Sequence, residues 1–272
     1  MTAAELIAAV VLGVVEGVTE FLPISSTGHL IVAGHWLGFH GERAKTFEIF
    51  IQLGAILAVV WLYRARFLNV AQTLVGEPSS RRFATSLLLG FAPAALVGVS
   101  VHHFIKAHLF TPVVVAAAFI AGGVLILLIE RWRPEARVTD AADIAPRTAL
   151  GIGLAQMLAL IPGVSRSGAT IMGGYVLGLS RTAATEFSFF LAVPVIAAAA
   201  VFDLVRSLHL LHAGDIPLFA AGLAVSFLSA LVVIRGLLRY VAHHSFAAFA
   251  WYRIAFGLFL LWMFRLEGFT HG

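Results

Sequence analysis

Apolar residues dominate the chain in long blocks, and polar residues gather in a few short interruptions. A membrane-crossing helix needs about 20 predominantly apolar residues, and six blocks meet that length: roughly 47–63, 83–104, 112–131, 185–206, 215–238 and 247–265. Two further apolar regions do not. Residues 5–22 and 28–38 are parted by TEFLPISSTGH at 19–29, and residues 149–161 and 168–179 by PGVSRSG at 162–168. At ~1.5 Å of rise per residue each half is too short for a hydrocarbon core ~30 Å thick.

Broken helices at membrane depth require that the freed backbone be buried in protein or line a watery cavity. Each interrupted region therefore predicts a re-entrant helix-loop-helix hairpin. Pro23 and Pro162 end the descending halves in this reading, and Gly28 and Gly168 permit the tight return.

Shifting the chain by 140 residues aligns LGVVEGVTEFLPISSTGHLIVAGHWLGF with IGLAQMLALIPGVSRSGATIMGGYVLGL. Identical residues meet at 12 of the 46 positions from 13 to 58, Ser25 and Gly28 among them. The expectation is one membrane domain over 1–272 built from two copies, about 5–131 and 148–265. If each hairpin enters and leaves on one side, three crossings separate the copies and the second is inverted. The predicted fold class is thus an all-α polytopic membrane protein, with six transmembrane helices plus two re-entrant hairpins in an inverted repeat.

Charge orients it. Arg64, Arg66, Arg81 and Arg82 follow the first span, Arg131, Arg133, Arg137 and Arg147 follow the third, and Arg235 and Arg239 share their side, whereas the second-to-third loop offers Lys106. By the positive-inside rule the arginine-rich loops are cytoplasmic and the first hairpin opens to the outer face. Composition agrees with a membrane location, being 60% hydrophobic and 12% charged with a mean hydropathy of +0.97. The net charge of +4 is scattered as topology signals are, so no nucleic-acid partner is expected. Cysteine is absent, which leaves oxygen and nitrogen groups for any catalysis. The opening MTAAELIAAVVLGVVEG lacks a basic leader region and is read as part of the mature protein.

Glu16 and Glu20, four apart, share a helix face, which suits either a divalent cation, Mg²⁺ or Ca²⁺, or a shared proton. The segment Ser25, Ser26, Thr27, Gly28 and His29 stands where the segment Ser165, Arg166, Ser167, Gly168, Ala169 and Thr170 stands in the second copy. Both groups open an ascending half-helix, whose free N–H groups favour anions, and Arg166 adds a fork for phosphate oxygens. For each serine alone, plain N-capping is the competing explanation, and for Arg166 it is an ion pair with Glu16 or Glu20. His29 can serve as base, acid or nucleophile, and Ser26 as nucleophile if a neighbour takes its proton. Glu48 and Gln52 place polar groups inside the first span and with Lys45 face the same cavity or make a helix contact, and Glu186 and Arg253 carry the same two readings. The histidines at 102–103, 209, 212 and 243–244 fall at helix ends and are read as interfacial.

EGVTEFLPISSTGH followed by PGVSRSGAT closely resembles the bacterial undecaprenyl-diphosphate phosphatase family of the bacitracin-resistance type, and AKTFEIFIQLGAILAV and EFSFFLAVP extend the likeness through nearly the whole chain. The resemblance implies a multi-pass enzyme of the bacterial cytoplasmic membrane that hydrolyses the lipid carrier's diphosphate to the monophosphate, recycling it for peptidoglycan and other wall polymers. It also implies bacitracin resistance, through faster removal of the diphosphate that the antibiotic sequesters. By that likeness Glu16 and Glu20 fill the acidic motif, Ser26 is the proposed nucleophile, His29 its partner and Arg166 the phosphate-binding arginine. The tail is expected to leave into lipid past Gly173 and Gly174. Two other classes compete: an inverted-repeat transporter or flippase for a phosphorylated lipid or anion, and an acid-phosphatase-like lipid phosphatase, whose PSGH signature is missing here. Glycines such as Gly122 and Gly123 fit packing within one chain or in a homodimer.

Overall fold

The computed structural model describes residues 2–132, 135–207 and 212–266, and within them the side chains of all but 102–104, 106 and 266. Arg133 and His209 therefore lie outside the described residues, as do the side chains of His102, His103 and Lys106. Eleven α-helices account for most of the chain: α1 Ala3–Thr19, α2 Ser26–Trp36, α3 Glu42–Leu62, α4 Arg64–Thr73, α5 Pro78–His108, α6 Pro112–Trp132, α7 Pro146–Gln156, α8 Arg166–Val176, α9 Arg181–Ser207, α10 Ile216–His243 and α11 Ala247–Leu266. Among the described residues the only β pairing is an isolated bridge between Val138 and Leu179.

Local chemistry sets several starts. Thr2 and Glu5 form a capping box at α1, with the Thr2 hydroxyl accepting the Glu5 N–H at 3.2 Å and the Glu5 carboxylate accepting the Thr2 N–H at 2.8 Å. Proline opens α5 and α7, where its missing donor would have been unpaired anyway.

Among the described residues six segments are long and apolar enough to cross a membrane: Glu42–Leu62, Pro78–Val101, Pro112–Trp132, Arg181–Ser207, Ala213–His243 and Ala247–Arg265. They coincide with the six expected blocks. The helices flanking the two interruptions, α1, α2, α7 and α8, are shorter, with 17, 11, 11 and 11 residues. Sequence patterning missed α4, expecting a basic loop there; its arginine-rich turn packs by laying Arg66 over the rings of Phe83 and Phe190, at 5.0 and 5.6 Å.

α1 lies along α10, α7 along α5, α6 along α11, and α3 against both α9 and α10. Small residues permit the first two approaches, since a Cβ on Gly17 would collide with the α10 backbone at Ser226 and one on Gly153 with the α5 backbone at Gly90. The main core gathers Phe21, Phe187, Phe189, Phe190 and Phe246 with aliphatic residues of α3, α9 and α10. At one end Glu130 fastens three helices, accepting from Arg181 Nε at 3.0 Å and Nη2 at 2.5 Å and from the Phe246 N–H at 2.7 Å.

Candidate active site

The two chain breaks have the same local geometry, and it differs from the glycine turn the sequence suggested. Gly28 and Gly168 are helical residues of α2 and α8. A Cβ at Gly28 would run into the Phe119 ring, and one at Gly168 would press on Ser165. The left-handed backbone falls instead on Ser25, with φ of 67°, and on Ser165, with φ of 78°, directly before α2 and α8. A non-glycine residue held there costs about 1–3 kcal/mol and persists only where its surroundings fix it. What fixes Ser165 is its own cap, the hydroxyl accepting the Gly168 N–H at 3.0 Å. Ser25 has no side-chain cap, and its carbonyl accepts His29 Nδ1–H at 2.7 Å.

The breaks meet. Ser167 donates to the Leu22 carbonyl at 2.7 Å, and Arg253 ties both turns to α6. Its side chain is fully buried and donates to five carbonyls: Pro23 at 3.2 Å, Gly163 at 3.0 Å, Val164 at 2.9 Å, Ala118 at 2.9 Å and Phe119 at 3.3 Å. A guanidinium carries five N–H donors and here finds five acceptors. Arg253, left open by the sequence between a helix contact and a site, is thus the clamp beneath the site.

At this junction Glu20 bridges two groups from different halves of the chain. Its Oε2 accepts the Ser26 hydroxyl at 2.6 Å and its Oε1 accepts Arg166 Nη2 at 3.1 Å. The ion pair is largely shielded, with side-chain exposures of 11% for Arg166 and 10% for Glu20. Arg166 is aimed from below by Ser188 of α9, whose carbonyl and hydroxyl accept Nη1 at 2.9 and 3.2 Å.

A cavity of about 610 Å³ rises from this cluster. Its polar end is formed by Glu20, Ser25, Ser26, Thr27, Gln52, Gln156, Ser165 and Arg166, and the rest of its wall is mostly apolar, from α5 and α9. Glu16 is fully buried a turn behind Glu20, with neither carboxylate oxygen partnered.

Several expected members lie elsewhere. His29 does not line the cavity: Nε2 accepts the Tyr252 hydroxyl at 2.6 Å, and the ring stacks on Phe256 at 4.2 Å, so α11 occupies both nitrogens' surroundings together with the Ser25 carbonyl. Thr170 turns to Ser188, 2.7 Å away. Lys45 is exposed and paired with Glu42 at 2.9 Å on the surface, because its helix face points outward. Glu186 accepts the Tyr63 hydroxyl at 3.1 Å in a helix contact. Gly173 and Gly174 offer no passage, since Cβ atoms there would meet Ala155 and Ala184. Conversely, Ser188 and Gln156 belong to the site's surroundings and were not singled out, although Ser188 lies in the quoted EFSFFLAVP and Gln156 is the shifted counterpart of Glu16.

A family model, that of bacitracin resistance protein BacA, matches residues 9–259. The chain belongs to this family. Among curated relatives, an undecaprenyl-diphosphatase of Acidovorax ebreus (strain TPSY) is 56% identical over 257 residues, 94% of each chain. Undecaprenyl-diphosphatase 2 of Rhodospirillum rubrum is 57% identical over the same length and the same shares. An undecaprenyl-diphosphatase of Ectopseudomonas mendocina (strain ymp) is 53% identical over 259 residues, covering 95% of this chain and 94% of that one. The matched range contains every residue of the Glu20–Ser26–Arg166 cluster and its Arg253 clamp.

Proposed function

We propose that this protein is an undecaprenyl-diphosphate phosphatase, which hydrolyses the lipid diphosphate to undecaprenyl phosphate and inorganic phosphate and so returns the carrier to cell-wall synthesis and confers bacitracin resistance. The carrying observation is the Glu20 carboxylate joined to the Ser26 hydroxyl at 2.6 Å and to the Arg166 guanidinium at 3.1 Å, at the polar end of a cavity. Membership of a family whose named relatives are undecaprenyl-diphosphatases supports it.

Glu20 takes the Ser26 proton as the Ser26 oxygen attacks the terminal phosphorus, and Arg166 neutralises charge on the phosphoryl oxygens. The bridging P–O bond breaks, undecaprenyl phosphate departs, and water then cleaves the phosphoserine to release phosphate. Positioning and electrostatics carry most of such a reaction. The first turns of α2 and α8 face the same cavity end and add their N–H groups. His29 acts through the Ser25 carbonyl, as a positioning residue.

Among the described residues no group of three or more His, Cys, Asp or Glu is placed to hold a metal by itself. A hard cation bound with the substrate still fits, because Mg²⁺ is commonly held by one or two carboxylates plus phosphate oxygens, and Glu16 keeps two buried oxygens without partners. Glu16 and Glu20 would hold Mg²⁺ or Ca²⁺, which would supply further neutralisation of the diphosphate.

The reading includes the membrane arrangement. α1–α2 and α7–α8 are taken as re-entrant hairpins of two inverted copies, supported by the paired packing of α1 on α10 with α7 on α5, and by the matching backbone at Ser25 and Ser165. The cavity ends near Phe110, Phe202 and Asp203, at the ends of α5 and α9 remote from the arginine-rich loops, which supports an opening to the periplasmic face.

Purified protein in detergent, assayed for phosphate release from undecaprenyl diphosphate with and without chelator, tests the proposal. Release that vanishes in Glu20→Ala and Arg166→Ala is expected. A transporter would release none in any form.

A further inference from the structure

We propose that a pocket at the arginine-rich end of α6, α8, α9 and α11 holds the phosphate of an anionic phospholipid, which ties the α6–α11 pair to the rest of the protein; this rests on the membrane arrangement above and not on the phosphatase chemistry. The pocket has a volume of about 990 Å³ and shares no lining residue with the cavity above Glu20 and Arg166. Its charged lining is Glu130, Arg131 and Arg181. Glu130 accepts from Arg181 Nε and Nη2 and from the Phe246 N–H, so both of its oxygens are engaged. The same bonds orient the guanidinium. They take two of the five N–H donors of an arginine, its Cζ lies 5.1 Å from the centroid of the Tyr175 ring, and 31% of the side chain stays exposed where it lines the pocket. Arg131, exposed at the end of α6, brings a second cation, and Ser245 brings a hydroxyl. Two cations against one engaged acid leave a net positive pocket, and the planar arginine fork suits phosphate oxygens.

The surroundings favour a lipid over a free anion. Leu127, the Tyr175 ring and Ala247 stand beside the charges, and the flank next to them is apolar and exposed: Leu128 and Trp132, four apart on α6, and Trp251, one turn beyond Ala247 on α11. Tryptophans at the ends of spans sit at headgroup level, and basic pockets between spanning helices on the cytoplasmic side suit anionic headgroups. A phosphate on Arg131 and Arg181 lays its acyl chains along Val124, Leu125 and Leu128 of α6 and Trp251 of α11, all exposed. A free phosphate would meet the arginines only. The position also gives the lipid a task. α6 and α11 pack chiefly on each other, and at this end the Glu130–Arg181 pair joins α6 to α9. A phosphate shared by Arg131 of α6 and Arg181 of α9 adds a second bridge across the same seam.

Thermal unfolding tests this. Purified protein in neutral detergent is heated with phosphatidylglycerol, with phosphatidylcholine or with inorganic phosphate. Phosphatidylglycerol should raise Tm by roughly 3 °C or more over phosphatidylcholine, the scale on which a ligand held well above its Kd stabilises a chain of this size; inorganic phosphate should not raise it. Arg131→Gln removes an exposed cation, and Ala247→Trp fills the pocket while keeping its charges. Both should unfold at the wild-type Tm without lipid and lose most of the phosphatidylglycerol shift, and Arg131→Gln decides if the tryptophan itself lowers Tm. Arg147→Gln, at an exposed arginine outside the pocket, should keep the shift whole. Phosphatidylglycerol no better than phosphatidylcholine, a full shift retained in Arg131→Gln, or an equal loss in Arg147→Gln overturns the proposal. A shift as large with inorganic phosphate overturns the lipid assignment. Detergent exposes both ends of the protein and unfolding reads no turnover, so a wild type that releases no phosphate would sink the phosphatase reading by itself.

Discussion

Replacing Glu20 by Gln keeps the size of the side chain and removes its charge. In the wild type one Glu20 oxygen holds the Ser26 hydroxyl at 2.6 Å and the other holds Arg166 at 3.1 Å, with both partners nearly buried. The amide can still accept one hydrogen bond but cannot take a proton, and a positioned base contributes typically 10²–10⁴-fold. That is about 2.7–5.5 kcal/mol on the barrier. Arg166 keeps its bonds to the Ser188 carbonyl and hydroxyl, so it stays in place and has one fewer negative charge competing for it. The prediction is therefore signed: kcat falls by ~10²–10⁴ while KM for undecaprenyl diphosphate does not rise. Phosphate release by purified Glu20→Gln, Ser26→Ala and the double variant measures it. Because base and nucleophile act as a unit, the double variant should be no slower than the worse single one. A Glu20→Gln enzyme within about tenfold of wild-type kcat, or losses that multiply in the double variant, would refute the reasoning.

Arg253→Met should unfold the junction, since the Pro23, Gly163 and Val164 carbonyls, which lie outside the helices, lose their donor at once and each buried group left unpaired costs about 1–3 kcal/mol; a large drop in Tm in detergent, only partly recovered by Arg253→Lys, is expected. Gln156→Leu removes an amide oxygen buried without a partner together with one long 3.4 Å bond from its nitrogen to the Gly90 carbonyl, so Tm should change little, yet kcat/KM should drop by about tenfold if this wall meets the polar moiety of the substrate. Lys45→Ala should change neither turnover nor Tm measurably, because an exposed pair such as Lys45–Glu42 contributes roughly 0–1 kcal/mol.

The spans were legible because lipid leaves the chain little choice: every crossing needs a long apolar run, and six such runs are present. The breaks were legible for the same reason, as two places where that run fails. What could not be read was which residue bends. Glycine is the usual occupant of a left-handed backbone, and Ser25 and Ser165 adopt it while Gly28 and Gly168 serve close packing instead. Arg253 stood out as a charge in an apolar helix, but its partners are backbone carbonyls, which leave no trace in side-chain identity. Ser188 and Gln156 were hidden for a related reason. A serine inside a spanning helix is ordinary, and only the fold shows that this one holds Arg166. His29 stands beside the site in sequence, and helical geometry turns its ring toward Tyr252 and Phe256 while its Nδ1–H holds the Ser25 carbonyl. α4 went unread because ten polar-to-mixed residues carry too weak a period to distinguish a short interfacial helix from a loop.

The central claim is that Ser26, Glu20 and Arg166 make up one reaction centre in which the serine oxygen meets the terminal phosphorus. Undecaprenyl diphosphate labelled in its terminal phosphate, mixed with purified enzyme and quenched in acid within a single turnover, tests it most directly. The account predicts label covalently bound at Ser26 in the wild type and none in Ser26→Ala, which should also release phosphate at a small fraction of the wild-type rate. Label absent from the protein, together with near-normal release by Ser26→Ala, would contradict it.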